Sequence, residues 1–246
     1  MYEGIILSFG IIIFLTSWFT PLPYGRFCNT IMVPKLIEIP NILLWSLCNI
    51  PVLLVLCYKM LIKHEKVNDL GLALFVFLCI HAFWRSIMSQ ILIYMIKSHK
   101  DEKKGSILVL ILLGTYNVFV GLSWFRLCRH LNREMNWLDY PLLIGAILCM
   151  ILNGFYDIYL NYERNNDVTA PYKETLGHYI KYEFLEAKFP LLFAVGITSP
   201  NYFFEICQWL FIALMTMHTE SWAYFISTLL ILWVRACSIT LSQTSN

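Results

Sequence analysis

Apolar runs long enough to cross a bilayer constrain this chain more than any other feature. A spanning helix needs roughly 20 mostly apolar residues, because lipid offers no partner for an exposed backbone amide. Five runs approach or reach that length: residues 4–21, 39–58, 70–96, 106–125 and 137–160. Two shorter ones follow a polar stretch, at 202–217 and 221–234. The segment FPLLFAVGI, residues 189–197, is too short to span and reads as re-entrant or interfacial. These runs predict an all-α protein, a polytopic membrane bundle of six or seven transmembrane helices forming a single domain over residues 1–246. Composition agrees: 59% of the 246 residues are hydrophobic and 14% charged, a balance foreign to soluble domains. The formal net charge of +2 is too small to suggest nucleic acid as a partner.

The first run begins after Glu3, with no basic flank and no small-residue cleavage site, so it reads as a retained span rather than a signal peptide. The eight cysteines include no C-x-x-C pair, and most lie inside apolar runs, where they behave as small hydrophobes. Neither a disulfide framework nor a metal site is expected. The longest polar region, residues 161–188, carries Arg164, Lys173, Lys181 and Lys188. It is the natural place for a polar ligand to meet the membrane surface.

Within so apolar a chain, the ionisable residues inside the runs point to function. Each costs on the order of 2.5–3.5 kcal/mol on insertion scales, and so marks a site unless neighbours explain it. His81 and Arg85 lie four apart in HAFWRSIMS, Asn153 and Asp157 four apart in NGFYD, and Asn201 and Glu205 four apart in PNYFFE. A spacing of four puts each pair on one helix face. Glu38 stands in IEIP just before the second run, and Arg235 closes the last. Polar side chains also bind helices to one another in lipid, and residues at span ends can snorkel to the interface. Three such pairs in one short chain suggest instead a polar chamber inside the bundle.

Five motifs, in this order, resemble those of the steroid 5-alpha-reductase family: LPYGRF, IEIP, HAFWRSIMS, NGFYDIYLNYER and PNYFFEICQW. The similarity runs from about Pro21 to Ala236. The PNY-x-x-E block also resembles that of the related trans-2-enoyl-CoA reductases of fatty-acid elongation. The resemblance implies a seven-helix enzyme of the endoplasmic-reticulum membrane. Such an enzyme transfers hydride from NADPH to the carbon–carbon double bond of a lipid enone, most naturally a 3-oxo-4-ene steroid. It assigns Glu38 to the substrate carbonyl, a role that needs a carboxyl kept protonated by an apolar setting. It assigns Asn153, Asp157, Asn201 and Glu205 to the nicotinamide half of the cofactor, with Tyr24 as a further contact. Arg164, Arg235 and the lysines of DEKK would meet phosphate groups.

The chain departs from the family pattern in three places. Ser89 stands where the family carries a tyrosine four residues after the third-span arginine. Asn161 replaces the first arginine of the basic pair after Asp157. The sequence ends soon after Arg235 and Ala236, with Ser238 and Ile239 in place of histidines. The expectation from these departures is a shortened C-terminus and slow or absent turnover. An enoyl-CoA reductase, and a catalytically impaired lipid-binding or scaffold protein, are the alternatives.

Overall fold

A computed structural model describes residues 2–19, 38–59, 67–96, 104–131, 133–166 and 200–244. Among them are seven helices: α1 (Tyr2–Phe19), α2 (Asn41–Cys57), α3 (Asp69–Ile96), α4 (Ile107–His130), α5 (Asp139–Asn166), α6 (Pro200–Thr216) and α7 (Thr219–Thr244). The helical membrane protein expected from the apolar runs is the one observed. Three helical stretches are long and apolar enough to cross a bilayer: Asp69–Ile96, Val109–His130 and Asp139–Tyr159. Two shorter apolar ones are Tyr2–Leu15 and Ile42–Cys57. The only extended pairing among the described residues is a three-residue antiparallel ladder, with Glu38 opposite Ser106 and Pro40 opposite Lys104. It ties the entrance of α2 to the entrance of α4.

Several helix limits differ from the expected runs. α5 begins at Asp139 rather than 137 because Asn136 and Asp139 cap one another. The Asn136 amide donates to Asp139 Oδ2 at 2.8 Å, and Asn136 Oδ1 accepts from the Leu138 amide at 2.9 Å. α5 then continues to Asn166, past the apolar run, and α7 runs on to Thr244. Hydropathy marks where lipid ends, not where a helix must stop.

α6 packs most extensively on α5, α4 on α2, and α1 on α7. The core joins Leu74, Phe77 and Leu78 of α3 to Trp124 and Leu127 of α4 and to Trp209 and Ile212 of α6. Gly71 lets α3 close onto α4, since a Cβ there would run into the Cys128 carbonyl oxygen. α5 lies at the edge of the bundle and turns Ile144, Leu148, Ile151 and Phe155 outward, as a lipid-facing helix does. A turn at Met217 and His218 joins α6 to α7, with Met217 in the left-handed region at φ 49°. Thr216 and Ser221 hydroxyls close that turn at 2.6 Å.

α3 carries one irregularity that matters for the site. Residues Trp84–Met88 form a π turn in mid-helix, a feature that recurs at functional sites. Ser86 Oγ donates to the Ala82 carbonyl at 2.7 Å, and Ser89 Oγ to the Arg85 carbonyl at 3.2 Å. These bonds serve backbone acceptors in and around the altered turn.

Candidate functional site

Arg85, inside the π turn, is the centre of the polar cluster. Its Nη1 lies 3.1 Å from Asp157 Oδ2 on α5, and its Nη2 3.2 Å from Glu205 Oε1 on α6. Asn201, one turn before Glu205, donates from Nδ2 to Asp157 Oδ1 at 2.7 Å. Three helices thus meet through one guanidinium, two carboxylates and one amide. Placing the cation between two anions is what makes charges tolerable among apolar helices, since an unpaired one would carry its full desolvation cost.

Asn153 shares the inward face of α5 with Asp157 and is buried, as is Asn201. Among the described residues, neither Asn153 Oδ1 nor Asn201 Oδ1 has a hydrogen-bond partner. Buried acceptors are rarely left bare, and each such atom calls for a donor. A primary carboxamide or a ribose hydroxyl is a donor of the right kind. The residues present therefore fit the nicotinamide half of a dinucleotide.

A second rung joins α3 to α6 one turn from the first. Gln208 Nε2 and His81 Nδ1 are 2.9 Å apart, in a contact where the Gln208 amide donates to the ring nitrogen. The His81 ring stands edge-on to Trp209 at 4.9 Å, and Trp209 meets Trp124 at 5.0 Å and Tyr224 at 4.5 Å. Beside this aromatic box is a cavity of about 50 Å³ that touches Asn49, His81, Arg85, Asn117, Glu205 and Tyr224. Its size suits a few water molecules and is too small for a nicotinamide ring.

Of the residues singled out in the sequence, Asn153, Asp157, Asn201 and Glu205 converge where α5 and α6 face one another. Glu38 is placed by its backbone on the ladder at the start of α2, and Arg164 and Arg235 fall within α5 and α7. The side chains of those three lie outside the described residues, as do Tyr24, the lysine side chains of DEKK and the segment 189–197. Ser89 is buried over the Arg85 backbone. Sequence reasoning had named Arg85 as a charge in lipid but not as the residue joining the other two helices. Gln208 was missed, although its place three residues after Glu205 in an apolar run was the available signal.

The opposite end of the bundle holds different ion pairs. Arg133 grips both carboxylate oxygens of Asp139, at 2.6 and 2.7 Å, and donates to the Met215 carbonyl at 2.8 Å. The Asp139 hydrogen bonds push the Arg133 pKa up, so that its charge is fixed. Arg126 lies 3.8 Å from Glu3 and 3.3 Å from the buried Glu220, which also bonds His218.

The sequence model of the family described as 3-oxo-5-alpha-steroid 4-dehydrogenase matches residues 105–240, more than half of the chain. No curated protein matches it. The matching segment contains Asn153, Asp157, Asn201 and Glu205, together with Arg164 and Arg235; Tyr24, Glu38 and Arg85 precede it.

Proposed function

This chain belongs to the 3-oxo-5-alpha-steroid 4-dehydrogenase family, hence to the oxidoreductases of steroid 5-alpha-reductase type, and from that premise we propose that it reduces the carbon–carbon double bond of a lipid enone with NADPH. The substrate of choice is a 3-oxo-4-ene steroid, taken from the endoplasmic-reticulum membrane. The observation that carries the reading is the pair of buried amide oxygens of Asn153 and Asn201 beside the Arg85 cluster, which have no partner among the described residues.

NADPH supplies the hydride when bound. The residues of this chain do the rest. Asn153 and Asn201 would accept hydrogen bonds from the carboxamide and so hold the ring in place. Arg85 holds Asp157 and Glu205 at set positions, which leaves Asn201 tied to Asp157 and its oxygen free to accept. The apolar walls of α3 and α6 exclude water, which strengthens each of these polar contacts. Glu38 donates a hydrogen bond to the substrate carbonyl and steadies the negative charge that grows there as the double bond is reduced. Arg164, Arg235 and the lysines of DEKK bind phosphate groups at the membrane surface, and Tyr24 adds a further contact to the cofactor.

The test is turnover by the purified chain in lipid nanodiscs, with NADPH and either a 3-oxo-4-ene steroid or a trans-2-enoyl-CoA. The reading requires loss of NADPH absorbance with formation of the saturated steroid, slowed roughly 10²–10³-fold by Glu38→Ala, which removes the donor to the carbonyl. Turnover of the enoyl-CoA alone would move the chain to the fatty-acid elongation reductases. NADPH binding absent altogether would leave a membrane scaffold whose polar pairs only join helices.

A further inference from the structure

Gly154 sits between Asn153 and the rest of the NGFYD motif, and its position is set by a neighbour on another helix. A Cβ built there would lie 2.7 Å from Trp84 Nε1 and 2.8 Å from Cε2 and Cζ2 of the same indole. Ordinary contact between such atoms is about 3.5–4.0 Å, so the indole edge rests directly on the α5 backbone. Trp84 opens the π turn and is the residue before Arg85. The same α3–α5 approach is therefore made twice within one turn, once by the indole on Gly154 and once by Arg85 on Asp157 at 3.1 Å. The second contact has little slack. A nitrogen–oxygen distance of 3.1 or 3.2 Å is already at the long end for a charge-assisted bond, and Arg85 must reach two helices at once.

We infer that Trp84 and Gly154 form a positioning contact, one that sets the separation of α3 and α5 at which Arg85 spans Asp157 and Glu205. Trp84 and Gly154 touch no reacting group; they act through the guanidinium. A methyl group at position 154 requires the indole to retreat by roughly 1 Å to restore ordinary contact. The indole is a rigid plate that can clear the methyl group by turning about χ1 and χ2 or by carrying the backbone of the π turn with it, and the second route is the one that moves Arg85. Arg85 then loses its reach to Asp157, and Asn201 loses the fixed carboxylate that it bonds. Trimming the indole to a leucine side chain removes Nε1, Cε2 and Cζ2, the atoms that meet the Cβ, so the two substitutions should cancel.

The inference rests on the proposed cofactor, and its test separates the two. NADPH binding is followed by the cofactor's own fluorescence for the full chain in nanodiscs, with Gly154→Ala, Trp84→Leu and the double variant beside the wild type. Gly154→Ala is expected to raise the Kd at least tenfold while the protein remains folded, and the double variant to return to within threefold of wild type. An unchanged Kd for Gly154→Ala overturns the inference. So does a folded double variant that regains no affinity. If the wild type binds no NADPH, the cofactor reading fails by itself, and positioning is read from thermal unfolding. Gly154→Ala then lowers the midpoint of the wild type but not that of an Asp157→Asn variant, in which the ion pair is already broken. Equal losses in both backgrounds would assign the contact to packing alone and overturn the inference.

Discussion

Arg85 and Arg133 perform opposite tasks with the same chemistry. The two sites lie at either end of α6, about 15 Å apart for the ten residues from Glu205 to Met215 at 1.5 Å each. Arg133 takes Asp139 in a bidentate grip, adds a backbone carbonyl, and leaves Asp139 with a backbone amide as well. That end is saturated, and what it holds is the loop before α5 against the end of α6. Arg85 instead makes one bond to each of two carboxylates on two helices, and the amide oxygens beside it are buried without donors among the described residues. Arg126 stands between the two cases. Glu220 Oε1 lies 3.3 Å from its Nε as an ion pair but without hydrogen-bond geometry. The difference shows that charge in a membrane bundle is not itself the sign of a site. The sign is charge whose surroundings are left short of partners.

The contrast is broken most sharply at Arg85 itself. Arg85→Met leaves Asp157 and Glu205 without the cation between them, a loss of about 3–5 kcal/mol for a buried pair deprived of one member. Chemical or thermal unfolding in nanodiscs should register it as the largest change of the set, with cofactor binding gone. Asp139→Asn is expected to cost about 1.5–3 kcal/mol, the range for hydrogen bonds to charged groups. The cost should fall near the lower figure, because Arg133 is 39% exposed and recovers water. Its NADPH affinity should stay within about twofold of wild type, corresponding to about 0.4 kcal/mol. Asn201→Ala should lower both, affinity by about 1–3 kcal/mol and stability by about 1.5–3 kcal/mol, because its bond to the Asp157 carboxylate goes with it. Arg126→Gln sharpens the comparison from the other side: it leaves the buried Glu220 with only His218 and Thr219 beside it, so stability should fall by about 1.5–3 kcal/mol while affinity does not change.

The sequence disclosed what periodicity and lipid impose. Apolar runs marked the helices because a backbone in hydrocarbon has no alternative, and the spacing of four in NGFYD and PNYFFE put Asn153 with Asp157 and Asn201 with Glu205. Partners across helices were beyond such reasoning. Arg85 is 72 residues from Asp157 and 120 from Glu205, and no local pattern encodes that meeting. The π turn was equally silent, since nothing in WRSIM distinguishes it from ordinary helix. Gly154 reads in the sequence as a weak helix former. Only the indole lying on it explains why that position carries no side chain. The family match also divides the site unevenly. The residues proposed for the cofactor mostly lie inside residues 105–240, whereas Glu38 and Arg85 lie before them.

The central claim is that the Arg85 end of the bundle is built around a nicotinamide cofactor and the Arg133 end is not. A side-by-side NADPH titration of the wild-type chain, Asn201→Ala and Asp139→Asn, each purified in nanodiscs, tests it most directly. The account predicts saturable binding by the wild type and by Asp139→Asn with nearly equal Kd. For Asn201→Ala it predicts a Kd higher by roughly 5- to 150-fold, corresponding to about 1–3 kcal/mol. Absence of binding by the wild type, or three indistinguishable Kd values, would contradict it.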